Sequence, residues 1–382
     1  MNLNVDKSQW TKVRLGDVAT EYSSRINDPS SGDRERFVGS SCIGQWDFRV
    51  QEWESTESVT SAMKLFEEGD YLLVRRSLYA SDFRERAPRA HFAGVCSGDI
   101  LTIRENPELI ADGFLIGILN NPSIWSYIVA NASGSITRRI KWKDLANYEF
   151  LLPPKDQQAE IAELLWALED SNEIYLGIEK KMSGLESAVS RQAFPMDRTE
   201  LLGDLATLYS GGTPSRKVPE YWGGDIPWVK TTEVDYSEIT VTEESITALG
   251  LKESAAKLVR SGTILMAMYG QGVTRGRVSI LGIDASCNQA CAVIEVKDKE
   301  IVDWVYFFLK FSYDSIRGLA QGAIQENLNL GLIRDIQIPI IERNKMVTTT
   351  NILKQIVSAK IDLEKCSEDL KATRLSLIAG LF

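Results

Sequence analysis

The sequence predicts an α+β protein built twice: two homologous domains, each closed by a long helix, with the two helices running antiparallel as a coiled-coil spacer under approximate two-fold symmetry. Three observations predict it. An internal repeat runs through most of the chain, each half carries short apolar runs of strand character, and each half closes in a helically periodic stretch free of interior proline.

The repeat comes first because it constrains architecture more than propensity does. Leu15 to Ser23 reads LGDVATEYS and Leu202 to Ser210 reads LGDLATLYS, seven identities in nine at an offset of 187. Further on, Gly134 to Leu152 (GSITRRIKWKDLANYEFLL) parallels Gly322 to Ile340 (GAIQENLNLGLIRDIQIPI) at an offset of 188. Between them, Gly69 to Val74 corresponds to Gly262 to Ala267 and Cys96 to Ile103 to Cys287 to Ile294, with offsets of 193 and 191 that place small insertions in loops. Strands are expected at Tyr71 to Arg75, Ile100 to Ile103, Thr263 to Met268 and Ala292 to Val296, with helical pieces at Ile124 to Ala130 and Trp304 to Leu309. No regular βαβ alternation appears, which disfavours a doubly wound parallel sheet.

The helical stretches follow Pro153-Pro154 and Pro339, where proline marks a boundary. In the first, Tyr175, Ile178, Met182, Leu185 and Val189 step by 3 and 4. In the second, Ile352, Ile356, Ala359, Leu363, Cys366, Leu370, Thr373 and Leu377 form an a/d seam. Adding 188 to the first seam lands on 363, 366, 370, 373 and 377, so corresponding faces are expected to be buried. Each helix could pack on its own domain; pairing of the two is the reading the superposed seams favour. A helix over Gln158 to Ser190 would be about 50 Å long. The expected boundaries are 1–152 for the first domain, 153–195 for the first helix, 196–341 for the second domain and 342–382 for the second helix.

Composition is that of an ordinary globular chain: 382 residues, 44% hydrophobic and 25% charged, enough for two or three folding units. Five scattered cysteines, an odd number, and the polar start MNLNVDKSQW point to a reducing cytoplasm, without disulfides or a membrane span.

Catalytic constellations are missing. His91 is the single histidine, and Arg86, Arg89 and Phe92 beside it suggest a binding loop. Cys287 and Cys291 lack the partners of a zinc site and read as small buried strand residues, so no metal is expected. Gly270, Gly272 and Gly276 form GxGxxxG rather than a dinucleotide fingerprint, and no GxxxxGK[ST] loop exists. No FxGxG-like cofactor loop or NPPY-like tetrapeptide of amino-methyltransferases occurs, and Glu295-Val296-Lys297 lacks the Pro-Asp that a nuclease motif needs.

Binding remains. The net charge is −10, yet charge is segregated: Tyr71 to Phe92 holds five arginines against Asp82 and Glu85, and Gly134 to Lys143 holds four basic residues and no acid. Asp156 to Ser190 holds eight acids against Lys180 and Lys181. Arginine suits guanine edges and phosphate, glutamine and asparagine suit adenine. Candidate DNA contacts are therefore Arg75, Arg76, Tyr79, Arg84, Arg86, Arg89, Thr137, Arg138, Arg139 and Lys141 in the first half. In the second they are Ser215, Arg216, Tyr269, Gln271, Thr274, Arg275, Arg277, Gln325 and Asn327.

At Ser210 to Val234, SGGTPSRKVPEYWGGDIPWVKTTEV resembles the opening of target-recognition domains in specificity subunits of type I restriction-modification systems. LLPPKDQQAEIAELLWALED, Leu151 to Asp170, resembles that family's entry into its first long helix, and GAIQENLNLGLIRDIQIPI its approach to the second. The GGTPSR box occurs only in the second half; the first has Ser23-Ser24-Arg25-Ile26-Asn27. The resemblance implies a non-catalytic subunit whose two target-recognition domains each read half of a bipartite double-stranded DNA target. The helices would fix the gap and dock two methyltransferase subunits, with restriction subunits completing the complex. S-adenosylmethionine, ATP and Mg would then reside on those partners, and this chain would carry no cofactor. A free-standing DNA-binding regulator is the alternative. For the helix faces, the expected interface residues are Tyr175, Ile178, Met182, Leu185 and Val189 in one and Ile356, Leu363, Cys366, Leu370 and Leu377 in the other.

Overall fold

Each repeated stretch of sequence folds into the same short run of elements. The computed structural model describes residues 6–32, 34–77, 84–134, 137–270, 273–319 and 327–382. Its contacts divide the chain into two units, Met1–Ile178 with Leu363–Phe382, and Glu179–Asp362. Among the described residues no helix is long and apolar enough to cross a membrane.

In the first unit Thr11–Arg14 pairs antiparallel with Glu149–Leu152; in the second Thr199–Leu201 pairs likewise with Gln337–Pro339, 188 residues on. A one-turn helix follows, Leu15–Val18 or Leu202–Leu205. This turn explains the repeated LGD. Leu15 and Leu202 are fully buried, and a Cβ on Gly16 would stand 2.9 Å from Ala146 Cβ, while one on Gly203 would stand 3.2 Å from Arg334 Cβ. An added Cβ would force Ala146 to shift and would crowd Arg334, so glycine is favoured where these elements approach so closely.

The central sheet also recurs. Ala19–Glu21, Ile100–Glu105 and Tyr71–Val74 lie in that antiparallel order in the first unit. Ala206–Ser210, Cys291–Val296 and Ile264–Ala267 do so in the second. Both middle strands are apolar runs that are buried almost throughout, as a covered strand should be. A further parallel pair repeats as well: Arg36–Val38 with Gly94–Cys96, and Trp228-Val229 with Ser286–Cys287. The expected strands are present with ends shifted by a residue or two, and the helical pieces run Pro122–Asn131 and Val302–Phe311.

One edge differs. In the second unit Val278–Leu281 extends the sheet beside Ile264–Ala267. In the first unit the matching stretch, from Glu85 to Ala90, still follows Tyr71–Val74, with Leu72 N–H donating to Pro88 O and Val74 N–H to Arg86 O. Pro88 has no N–H to return, so the stretch is an extended edge rather than a regular strand.

Two helices of 39 residues each, Lys155–Ala193 and Arg343–Leu381, are about 58 Å long. In the first unit Ile161, Leu165, Leu377, Ile378 and Leu381 join the domain core with Phe114 and Leu119. Here the helix segments run antiparallel, because Glu169 meets Arg374 and Asn172 meets Ser367. In the second unit Leu353 and Met346 join a core containing Trp304 and Phe308, and Lys360 meets Glu186 at 2.6 Å.

The seams depart from expectation in a regular way. Tyr175, Met182 and Val189 are half-buried, as are Leu363 and Leu370, and Ile356 and Leu377 are buried. Ile178 and Leu185, however, are 40% and 47% exposed, and Cys366 and Ile352 are also exposed. The buried row runs one position further on, through Glu186 beside Leu185, Ser367 beside Cys366 and Leu353 beside Ile352, and it also holds Asn172 and Arg374. Assigning the seam by apolar residues alone therefore turned half of it by one position. The buried polar groups are tolerated because they satisfy one another across the pair.

Candidate nucleic-acid interface

Two basic stretches that are distant in the first half of the sequence meet in space. Arg76-Ser77 and Arg138-Arg139 form a two-stranded antiparallel ribbon in which Arg139 faces Arg76 and Arg138 faces Ser77. Ile140 N–H donates to Arg75 O at 3.1 Å and continues the pairing. Asp99 holds the ribbon's charge, taking Arg76 at 2.7 Å and Arg139 at 3.0 Å. Arg75 Nε donates to Gly98 O at 3.0 Å, and Arg138 Nη2 to Ala132 O at 2.9 Å. Thr137 is half-buried at the ribbon's start, while Lys141 is exposed at its end, just before the helix Trp142–Leu145. The arrangement offers a compact group of guanidiniums on rigid backbone, fitted to polyanionic backbone and to base edges.

Arg84 and Arg86 approach from the extended edge. Arg84 is exposed and donates to Gln45 Oε1 at 3.4 Å. Arg89 is engaged elsewhere: Asp112 and Glu105 hold its guanidinium, and it lines a polar pocket with Arg49, His91 and Trp166. Its bond to Asp112 holds that carboxyl below the usual range, whereas burial pushes Glu105 up. Tyr79 lies outside the described residues.

In the second unit Tyr269, Thr274, Arg275 and Arg277 surround the turn after Ile264–Ala267. Gly270 and Gly276 have φ of +146° and +88°, conformations that an L side chain resists, so these glycines make the turn possible. Leu328 N–H donates to Met268 O at 3.1 Å, which brings exposed Asn327 beside Tyr269. Arg277 lies over the Tyr236 ring at 5.5 Å. Among the described residues the Nε atoms of Arg275 and Arg277 are buried without a hydrogen-bond partner. Gln271 and Gln325 lie outside the described residues.

Ser215 and Arg216 do not join that turn. Arg216 stacks on Trp222 at 3.6 Å and pairs with Glu244, on a separate three-stranded sheet, and Ser215 O accepts from Trp222 Nε1 at 3.2 Å. The glycines of that box serve packing: a Cβ on Gly211 would fall 2.3 Å from Cys287 O and one on Gly212 2.2 Å from Ala256 N. Cys287 and Cys291 are buried on consecutive strands of two different sheets, and the Cys291 thiol is pushed up by its bond to Cys287 and by burial.

Sequence reasoning missed two positions. Trp46 (φ +67°) and Tyr236 (φ +77°) are, among the described residues, the non-glycine residues in the left-handed region. They are equivalent in the repeat: Trp46 N–H donates to Glu85 O at 2.7 Å and Tyr236 N–H to Val278 O at 3.0 Å. No local sequence signal marks either.

Residues 199–371 match the type I restriction modification DNA specificity domain. The chain is 20% identical to the specificity subunit of the HindI type I restriction enzyme of Haemophilus influenzae, an alignment covering 96% of this chain and 99% of that one. The chain is thus similar in sequence to specificity subunits of type I restriction-modification systems. It is also 27% identical over 187 residues to the MjaIX specificity subunit of Methanocaldococcus jannaschii, over 47% of this chain. The chain spans less than half of that relative's length, 42%. Its fold is similar to that of the S subunit of a type I system from M. genitalium, with a TM-score of 0.68, 16% identity, and 100% and 98% of the two chains covered.

Proposed function

We propose that this chain is the non-catalytic, DNA-reading member of a type I restriction-modification complex. Each target-recognition domain reads one half of a bipartite duplex, the first through the ribbon of Arg75, Arg76, Arg138 and Arg139 with Arg84, Arg86 and Lys141 beside it. The second uses the turn from Tyr269 to Arg277 with Asn327. The single observation that carries this reading is the recurrence of one topology with basic, polar loops at repeat-equivalent strand ends.

The long helices set the unread gap and dock two methyltransferase subunits, restriction subunits completing the complex. The helix faces supply what docking needs, since Leu164, Ile174, Leu176, Ile178 and Leu185 are large, apolar and exposed. S-adenosylmethionine, ATP and Mg belong to the partners, as does the cytoplasmic setting in which such a complex meets DNA.

The test is methylation mapping of a host with and without the gene. A two-part motif with a fixed gap that disappears with the gene supports the reading, and an unchanged methylome overturns it. Inserting a four-residue repeat after Ser183 is expected to lengthen the gap while both half-motifs stay the same. Altered half-motifs with an unchanged gap would count against the ruler.

A further inference from the structure

In the first unit a buried arginine of the second long helix reaches into the domain. Arg374 is 3% exposed, and its guanidinium makes three contacts: Nη1 donates to the Glu169 carboxylate, Nη2 donates to Trp46 O at 2.7 Å, and the group lies over the Phe48 ring at 4.2 Å. The segment it grips, through the Trp46 carbonyl and the Phe48 ring, partners the arginine-bearing edge. Trp46 N–H donates to Glu85 O, Arg89 N–H donates to Phe48 O at 2.8 Å, and Gln45 Nε2 donates to Glu85 Oε2 at 2.8 Å. Two hydrogen bonds, one on each side of the Trp46 backbone, thus connect the helix to the stretch that carries Arg84 and Arg86. Arg49 adds a second tie, pairing with Asp170 at 2.6 Å and Glu173 at 2.9 Å on the first long helix.

Trp46 holds a left-handed backbone that tryptophan seldom adopts, and such a conformation persists only where its surroundings over-determine it. The carbonyl bond from Arg374 is one of those determinants. The second unit solves the same problem differently. There the Tyr236 carbonyl accepts from Tyr306 Oη at 2.6 Å, and Tyr306 stands on the domain's own helix Val302–Phe311. Among the described residues, the first unit draws this support from a long helix and the second from the domain's own helix.

We propose that Arg374 is a positioning residue that holds the arginine-bearing edge of the first unit in reading geometry, so that recognition of one half-target depends on the long helix and recognition of the other does not. The inference rests on the DNA-reading role proposed above and deepens it, because it assigns a long-helix side chain to the specificity of one domain.

Two variants of the full chain test it. Glu169→Leu/Arg374→Leu removes the tie without leaving a buried charge unpaired. Arg374→Lys keeps a charge for Glu169 but has no planar fork to reach the Trp46 carbonyl as well. Amide hydrogen exchange is read first, since it does not depend on DNA. Both variants are expected to exchange the Trp46 amide at least about 10-fold faster than the parent chain, with the Tyr236 amide unchanged. Unchanged exchange at Trp46, or equal acceleration at Tyr236, overturns the proposal. Discrimination is then measured in the complex with the methyltransferase subunits, on duplexes scrambled in one half or the other. Expected is a loss of about 10-fold or more at the first domain's half alone in both variants. A loss shared by both halves, or no loss, overturns the proposal. A parent complex that prefers no bipartite duplex instead refutes the DNA-reading role, while the exchange result still decides whether Arg374 holds Trp46.

Discussion

The two units carry a groove at the same place in the repeat and line it with different side chains. In the first, a groove of about 450 Å³ is bounded by Gly69, Arg49, Arg89, Asp112 and Trp166. In the second, one of about 680 Å³ is bounded by Gly262, Tyr236, Asp303, Tyr306, Phe307 and Lys354. Gly69 and Gly262, Asp112 and Asp303, and Trp166 and Lys354 are repeat equivalents. Strand order, sheet pairing and the LGD turn have thus been kept by duplication, while side chains between domain and helix have diverged: Arg49 lies over Trp166 in the first unit, whereas in the second Lys354 pairs with Asp303 at 2.5 Å beside Tyr306 and Phe307. Backbone hydrogen-bond geometry tolerates few alternatives, whereas a groove wall can change as long as its polar groups stay paired.

The largest expected effect breaks that comparison at the buried charges. Arg374→Leu strands Glu169, whose side chain is 4% exposed and whose carboxyl burial already pushes up, and should destabilise the first unit by about 3–5 kcal/mol in denaturant unfolding. Lys360→Met in the second unit should cost less, about 1–2 kcal/mol, because Glu186 also has Lys310 near it at 3.9 Å. Core truncation comes next. Leu377→Ala and Leu353→Ala should each cost about 2–4 kcal/mol in their own units. Ile178→Ser should change stability by less than about 0.5 kcal/mol yet weaken methyltransferase docking, measured by titration of the purified partner. The smallest effect tests the reading loops: Arg139→Ala and Arg275→Ala should each reduce the slope of log affinity against log salt by about 1 where the arginine meets phosphate.

Much of this was legible in the sequence. LGD and the apolar strand runs announced the duplication because packing at Leu15 and Gly16 leaves few substitutes. Four strands were legible too, each to within a residue or two at its ends. The helix seams were half legible. Tyr175, Met182, Leu363 and Leu370 followed the apolar rule, while Ile178, Leu185 and Cys366 did not, since Asn172, Glu186, Ser367 and Arg374 occupy the buried row. Complementary residues at those positions were the available signal, and an apolar criterion discards it. Candidate residues could be named from the sequence, but which of them meet could not: Arg89 and Arg216 are engaged elsewhere. Arg76 and Arg139 are 63 positions apart, and their meeting is a fact of strand pairing. Trp46 and Tyr236 were invisible because nothing in a tryptophan or tyrosine advertises a left-handed backbone.

Asp99 gives the ribbon a resident competitor. Its carboxylate already neutralises Arg76 and Arg139, so an incoming phosphate must evict it before gaining either guanidinium. On the DNA-reading role proposed above, an arbitrary stretch of duplex would offer little beyond the exchange of one anion for another, and residence there would be brief. Base edges that complement the surrounding side chains would add what the exchange alone lacks, turning a lightly held scanning state into a lasting one.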